Sequence, residues 1–386
     1  MNETEVYKMS DFCLKKSKLT DVANGISAAL LIGSYTFCVC AAAGLGKWSM
    51  LICSLICCVT SIGNKNKIFA PSTALLVPVL IIIGQASAAT LALSIALGSL
   101  LFLLMKKGET SISITPVVKG GVGLGIALVA TILLTNLYFG IGASGAEAFE
   151  MLKSYRYLGF HPNFRGLLYG TITLFAMITY PFKFKKLNKH IPASFITLAV
   201  PFLLNLILNP VAELTTINEI PTVANGVFPL SSLVSFDKIK ISPLLEGIIS
   251  TAFLLYLNCA EEKKVRPAIT NVSTGLLSGM PVQEHPCAGF SPLSAVVCYA
   301  LCVVAFGFFP EILSRIPMHC VGAMLIVSVW QNVPYKSLSE AFGKKKISSL
   351  IFVVLICVGC IFRVYPVLFV CFCCSPRKKE AKDAKG

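Results

Sequence analysis

The chain alternates long apolar runs with short polar joints from about residue 22 to about residue 374. A helix needs roughly 20 apolar residues to cross the hydrocarbon core of a bilayer. Runs of that character cover 22–46, 48–63, 88–105, 112–137, 164–181, 191–209, 242–258, 292–309, 316–331 and 347–362, with weaker ones at 68–86 and 364–374. The run at 68–86 opens with Phe69-Ala70-Pro71-Ser72-Thr73-Ala74 before it becomes apolar. The segment 268–289 is too polar and too rich in Gly and Pro for an ordinary span, and predicts a short hairpin or a broken helix. The pattern is that of an all-α polytopic membrane protein with 12–14 segments.

The polar joints give an orientation. With a cytoplasmic N-terminus, 24 of the 33 Lys and Arg residues fall on the inner side, among them Lys15, Lys16, Lys106, Lys107, Lys185, Lys186 and Arg377 to Lys379. Eight fall outside and Lys119 lies within a span. The excess of inner basic residues supports this topology if 268–289 crosses an even number of times, which leaves both termini cytoplasmic, with the cell membrane as the expected location. The N-terminus lacks the short apolar region and small-residue cleavage site of a signal peptide.

Composition agrees. Hydrophobic residues make up 55% of the 386, charged residues 13%, and the mean hydropathy is +0.78. A soluble enzyme and a disordered chain are both excluded. The net charge of +15 would suggest nucleic acid in a soluble protein, but here it mostly reports orientation, so the expected partner is the lipid bilayer and not nucleic acid.

Candidate chemistry is sparse. Cys38, Cys40, Cys53, Cys57 and Cys58 read as small packing residues within spans. Cys357-Val358-Gly359-Cys360 matches C-x-x-C but has no second pair, so it reads as packing, not as metal or redox chemistry. Cys371, Cys373 and Cys374 precede a basic tail, a position where reversible acylation occurs in hosts that have it, but acylation is not the expected reading. His161, His190 and His319 sit at span ends without a ligand partner at metal spacing. No P-loop, H-E-x-x-H or G-x-S-x-G is present, so no catalytic residue, cofactor or metal is expected and the chain is not read as an enzyme. Lys119 reads as a snorkelling lysine, Glu246 as interfacial, and Glu261-Glu262-Lys263-Lys264 as a solvated charge cluster.

Transporters bind substrates with a different device. A helix broken at mid-membrane exposes backbone N–H groups whose positive end attracts anions. Two places fit: Ala70-Pro71-Ser72-Thr73-Ala74, and Gly275 to Gly289 with Ser278-Gly279-Met280-Pro281. They occupy comparable positions in the two halves of the chain, although each also fits an ordinary loop beside a span.

These residues lead to a resemblance. Thr20-Asp21-Val22-Ala23-Asn24-Gly25-Ile26, Pro71-Ser72-Thr73-Ala74, Pro116-Val117-Val118-Lys119-Gly120, Lys189-His190-Ile191-Pro192-Ala193, Asn271 to Val282 and Ile312 to Ala323 resemble, in order, segments of the SulP family of sulfate permeases and anion exchangers. The resemblance covers most of residues 20–370. It implies two inverted repeats of seven segments, with half-helices at segments 3 and 10. A core domain would comprise 20–110 and 242–310, and a gate domain 111–241 and 311–374, between a cytoplasmic N-terminus (1–19) and tail (375–386). Substrate would lie between the facing N-termini of helices 3 and 10, and homodimers are usual in the family.

The chain also departs from the family pattern. Ser34-Tyr35 stands where Pro-Gln is common, and Asn258 where a carboxylate implicated in cation coupling is common. About seven residues at the start of helix 10 are missing between Val282 and Gly289, so half of the usual anion site is expected to be altered or absent. No STAS domain of the family is expected from these residues. The resemblance implies a secondary active transporter of a small anion such as sulfate, bicarbonate or a carboxylate, working by alternating access. Its expected substrate-binding residues are Ser34, Tyr35, Pro71, Ser72, Thr73, Asn258, Ser278 and Gly279. The alternatives are a nucleobase or other neutral-solute permease of the same fold, and a non-transporting membrane scaffold.

Overall fold

A computed structural model describes residues 3–64, 67–107, 110–112, 114–143, 145–208, 239–259, 265–287, 289–309, 313, 315–344, 346–373 and 377–379. The apolar runs form helices whose ends follow local chemistry. The first run extends backwards through its polar lead-in to form α1 (Glu3–Ala43), followed by α2 (Lys47–Ser61). After a strand β1 (Lys67–Pro71) come the half-length α3 (Leu76–Gln85), α4 (Ala88–Lys107) and a short strand β2 (Thr110–Ile112). The span expected to begin at residue 112 starts later, as α5 (Pro116–Phe139), because Thr115 accepts from the Val118 N–H and Pro116 occupies the first turn, where its missing donor costs nothing.

The chain continues through α6 (Ala148–Leu158), α7 (Phe164–Lys183), the single turn α8 (Lys185–Asn188), α9 (Ala193–Leu208) and α10 (Ile241–Cys259). The amphipathic α6 was not expected. Its start is fixed by Glu150, whose carboxylate accepts from the Ala146 and Glu147 N–H groups. Next come α11 (Val265–Ser278), β3 (Val282–Pro286) and α12 (Pro292–Val303), the last continued by a π-helical turn, Val304–Phe308. The remaining elements are α13 (Met318–Gln331), α14 (Tyr335–Lys344), α15 (Lys346–Phe362), α16 (Val364–Cys373) and β4 (Arg377–Lys379), which pairs with β2. Among the described residues, four helices are long and apolar enough to cross a membrane on length and composition, and the chain is an integral multi-pass membrane protein. The Glu261 to Lys264 cluster and Cys374 lie outside the described residues.

The hard segment resolves into a helix and a strand. α11 ends at Ser278, Gly279 turns the chain at φ +69, and β3 runs back antiparallel to β1 with Phe69 opposite Glu284 and Ala70 opposite Gln283. Arg266 at the start of α11 donates to Ile62 O and Asn64 Oδ1, while Pro286 at the end of β3 pairs with Lys67. The α11–β3 hairpin therefore returns to the end from which it started, as the even-crossing condition requires. The expected half-helix at segment 10 is corrected here. Among the described residues between Gly279 and Ser291 there is a strand and no helix, and α12 starts only at Pro292, behind its Ser291 cap. The shortened sequence leaves too few residues for both a strand and a helix.

The helices pack in two sets. α4 lies between α10 and α11, α1 runs along α12, and α2 touches both α11 and α12. In the second set α5 packs on α13, α14 and α15, and α7 on α9 and α13. Close approach depends on small residues, as is common when lipid supplies no hydrophobic drive between helices. A Cβ on Gly275 would lie 2.7 Å from Ile95 Cγ2, and one on Gly121 would lie 2.9 Å from Ile356 Cδ1. Cys53, Cys57, Cys58, Cys298, Cys357 and Cys360 are buried in these contacts.

Asn271 fastens the hairpin. Its side chain, fully buried on α11, donates to Pro267 O and Val282 O and accepts from the Val282 N–H at 2.7 Å. Replacing Asn271 with Leu should cost about 1–3 kcal/mol for each backbone group left without a partner. The expected result is a clearly lower melting temperature of the purified protein in detergent, against little change for a substitution at the exposed Leu350.

Candidate functional site: the junction at the start of the half-helix

The half-helix α3 begins inside the protein because β1 delivers it there. Phe69 N–H donates to Ser61 Oγ and Ser72 N–H to Pro281 O, so the unwound stretch is held by named partners on both sides. Ser72 Oγ then accepts from the Leu75 N–H at 3.1 Å, capping the first turn, and donates to Gln283 Oε1 at 2.8 Å. Thr73 Oγ1 accepts from Asn332 Nδ2 at 2.6 Å. Both hydroxyls are fully buried. The other end of α3 is held as well, since Lys240 Nζ donates to Gln85 O at 2.7 Å.

Three side chains complete the junction. Gln283 Nε2 lies 3.3 Å from His285 Nε2, and the His285 ring lies 5.0 Å from the Tyr35 ring at an interplanar angle of 35°. The Tyr35 hydroxyl is 3.4 Å from Ser328 Oγ. Strand alternation puts Gln283 and His285 on one face of β3, and both are half-buried. On α13, Met324, Ser328 and Asn332 recur at four-residue spacing and meet Cys38, Tyr35 and Thr73 of the facing helix set. This stripe is the polar seam between the two sets.

Beside the seam lies a cavity of about 50 Å³ lined by Ala74, Lys119, Asn258, Asn332 and Pro334 with apolar residues of α5, α10 and α13. Lys119 stands in the first turn of α5 and Asn258 near the end of α10, so a cationic side chain and two carboxamides converge next to the start of α3.

The expected residues are thus partly assembled. Tyr35, Pro71, Ser72, Thr73 and Asn258 lie at or around the junction. Ser34 does not; its hydroxyl bonds Ser194 and Leu30 O, and it faces an apolar cleft of about 610 Å³ between α1, α9 and α12. Ser278 donates to Thr274 O within α11, and Gly279 serves the turn. Sequence reading missed Gln283, His285, Ser328 and Asn332. The alternation within Val282–Pro286 and the four-residue spacing on α13 were the available signals. Lys119 and Glu246 have further neighbours. Lys119 lines the cavity, and Glu246 lies 3.8 Å from Arg363, whose Nε donates to Glu147. Glu147 also accepts from Gln85, so a polar cluster ties the end of α3 to the α15–α16 joint. The Glu147 hydrogen bond, with Glu246 adding to it, holds the Arg363 guanidinium above its ordinary pKa.

With this geometry in place, comparison identifies the class of fold. The chain has the fold of SulP-type transmembrane domains. It is similar to the transmembrane domain of a cyanobacterial bicarbonate transporter, BicA, with a TM-score of 0.67 and 17% identity over 91% of this chain and 96% of that one. SLC26A9 matches with a TM-score of 0.67 and 16% identity over 92% of this chain and 64% of its own. The murine Slc26a9 anion transporter in its inward-facing state gives a TM-score of 0.65 and 12% identity over 92% and 67%. All three are transporters or their domains. No family model and no curated protein matches the chain.

The Thr73–Asn332 bond joins the two helix sets, and its worth is measurable. A double-mutant cycle with Thr73→Val and Asn332→Ala should give a coupling of about 0.5–1.5 kcal/mol in detergent unfolding, larger than that between Thr73→Val and a distant change such as Ser154→Ala.

Proposed function

We propose that this protein is a secondary transporter of a small anion, with its binding site around the start of α3, between the Lys119–Asn258–Asn332 cavity and the Gln283–His285 face of β3. The observation that carries the reading is the convergence there of one cationic side chain, two neutral carboxamides and a helix N-terminus. The lysine and the helix end favour a negatively charged ligand, and the carboxamides can add donors to it. The cavity lies where α5 begins and α10 and α13 end, which in the expected orientation is the cytoplasmic half. Movement of the α1–α4 and α10–α12 set against the α5–α9 and α13–α16 set would break the seam and expose the site to the other side. The neighbours' fold supports such a two-part design, and bicarbonate is the substrate that the name of one neighbour suggests.

A second reading has its own support. The second half-helix is missing, and the Ser72 and Thr73 hydroxyls are already bonded within the protein. Both facts favour a relative that holds the fold without transporting.

Uptake of radiolabelled bicarbonate, sulfate, formate and uracil into proteoliposomes separates these readings. Anion uptake is expected. It should fall by about tenfold to a hundredfold in Lys119→Gln, through loss of a charge-assisted contact of roughly 1.5–3 kcal/mol, and vanish when Ser72 and Thr73 are both replaced by Leu. Uracil uptake without anion uptake would establish the neutral-solute alternative, and no uptake of any probe by a well-folded protein the scaffold.

A further inference from the structure

The strand that replaces the second half-helix brings a titratable group to the junction. A half-helix would offer backbone amides, which do not change charge. β3 offers the Gln283 carboxamide and the His285 imidazole on one half-buried face. We propose that His285 binds the proton that enters with the anion, one for one, and that the anion bridges His285 and Gln283. This deepens the transporter reading and rests on it.

The argument is one of donors and acceptors. Ser72 donates to Gln283 Oε1, which turns the carboxamide nitrogen toward His285. A neutral imidazole accepts from that nitrogen through Nε2. A protonated imidazole has donors at both nitrogens and no acceptor, so two donors then face each other across 3.3 Å. Flipping the carboxamide does not relieve the conflict. It would present Nε2 to Ser72 Oγ, which already accepts from Leu75, and leave the buried Ser72 hydroxyl proton without an acceptor. An anion that accepts from both the Gln283 N–H and the imidazolium N–H satisfies both. The proton adds to the imidazole as the anion binds and leaves with it, so charge and atoms balance.

One neighbour favours the charged form. Tyr35 presents its ring to the imidazole, and ring faces attract cations. Cys38 lies one turn further along α1. On β1, Ile68 and Ala70 stand opposite His285 and Gln283. Lys67 and Glu284 project from the other face of the strands and are paired at 3.1 Å, so Glu284 is already occupied. From the facing set come the uncharged Ser328 and Asn332, and Lys119 lines the adjoining cavity.

Calorimetry of the purified full chain with formate or chloride as the probe, in buffers of different ionisation enthalpy from pH 5 to 8, tests this. The expected result is about one proton taken up per anion bound above the imidazole pKa, with affinity falling about tenfold per pH unit there. His285→Gln should bind more weakly and without pH dependence. If that variant does not fold, the proton count of the natural protein decides. Binding without proton uptake, or no binding of either probe at any pH, overturns the inference. Proton-linked binding without uptake into liposomes would sustain it while removing transport; uptake with no accompanying proton would do the reverse.

Discussion

Backbone hydrogen bonding away from water is the constraint on which the rest of this structure depends. The chain leaves helical geometry in two places within the protein, before α3 and after α11. In hydrocarbon each unpaired N–H or C=O costs several kcal/mol. The two unwound stretches solve this by pairing with each other, from Lys67 opposite Pro286 to Pro71 opposite Val282. Ser61, Asn271 and Pro281 supply the remaining partners. Because the strands are held in this way, a helix can begin in the interior at Leu76 with its first turn facing other side chains instead of water.

The same constraint shapes the chemistry at the junction. Where two facing half-helices would present backbone amides, this chain has one half-helix and one strand. The side chains that lie around the junction are Gln283 and His285 on β3, Asn332 at the end of α13, and Lys119 in the first turn of α5. Side-chain donors are longer and movable, and one of them can change its charge.

The two helix sets are built differently inside than between. Within each set, small residues allow backbones to approach, as at Gly275 against α4 and Gly121 against α15. Between them, the seam on α13 is made of single polar or sulfur contacts at Met324, Ser328 and Asn332. Such contacts are individually modest. On the far side, Glu147 accepts from both Gln85 and Arg363, so the end of α3 is tied to the α15–α16 joint by a second polar contact.

The membrane class and most of the apolar helices were legible in the sequence, because bilayer thickness converts apolar run length directly into helices, whereas the half-length of α3 followed only from the family resemblance. The sequence also placed Ser72 and Thr73 correctly at the start of α3, since Pro-Ser-Thr chemistry marks a helix start locally. It left 268–289 open between a hairpin and a broken helix, and the family pattern suggested a half-helix where a strand lies. Tertiary structure alone decided that point, because Val282–Pro286 is a strand only by virtue of its partner more than 200 residues away. It also decided that Asn332 reaches Thr73, that Ser34 faces Ser194 instead of the junction, and that Lys119 borders a cavity. Local propensity carries no information about which distant group will satisfy a buried donor, and in this protein that choice builds the site.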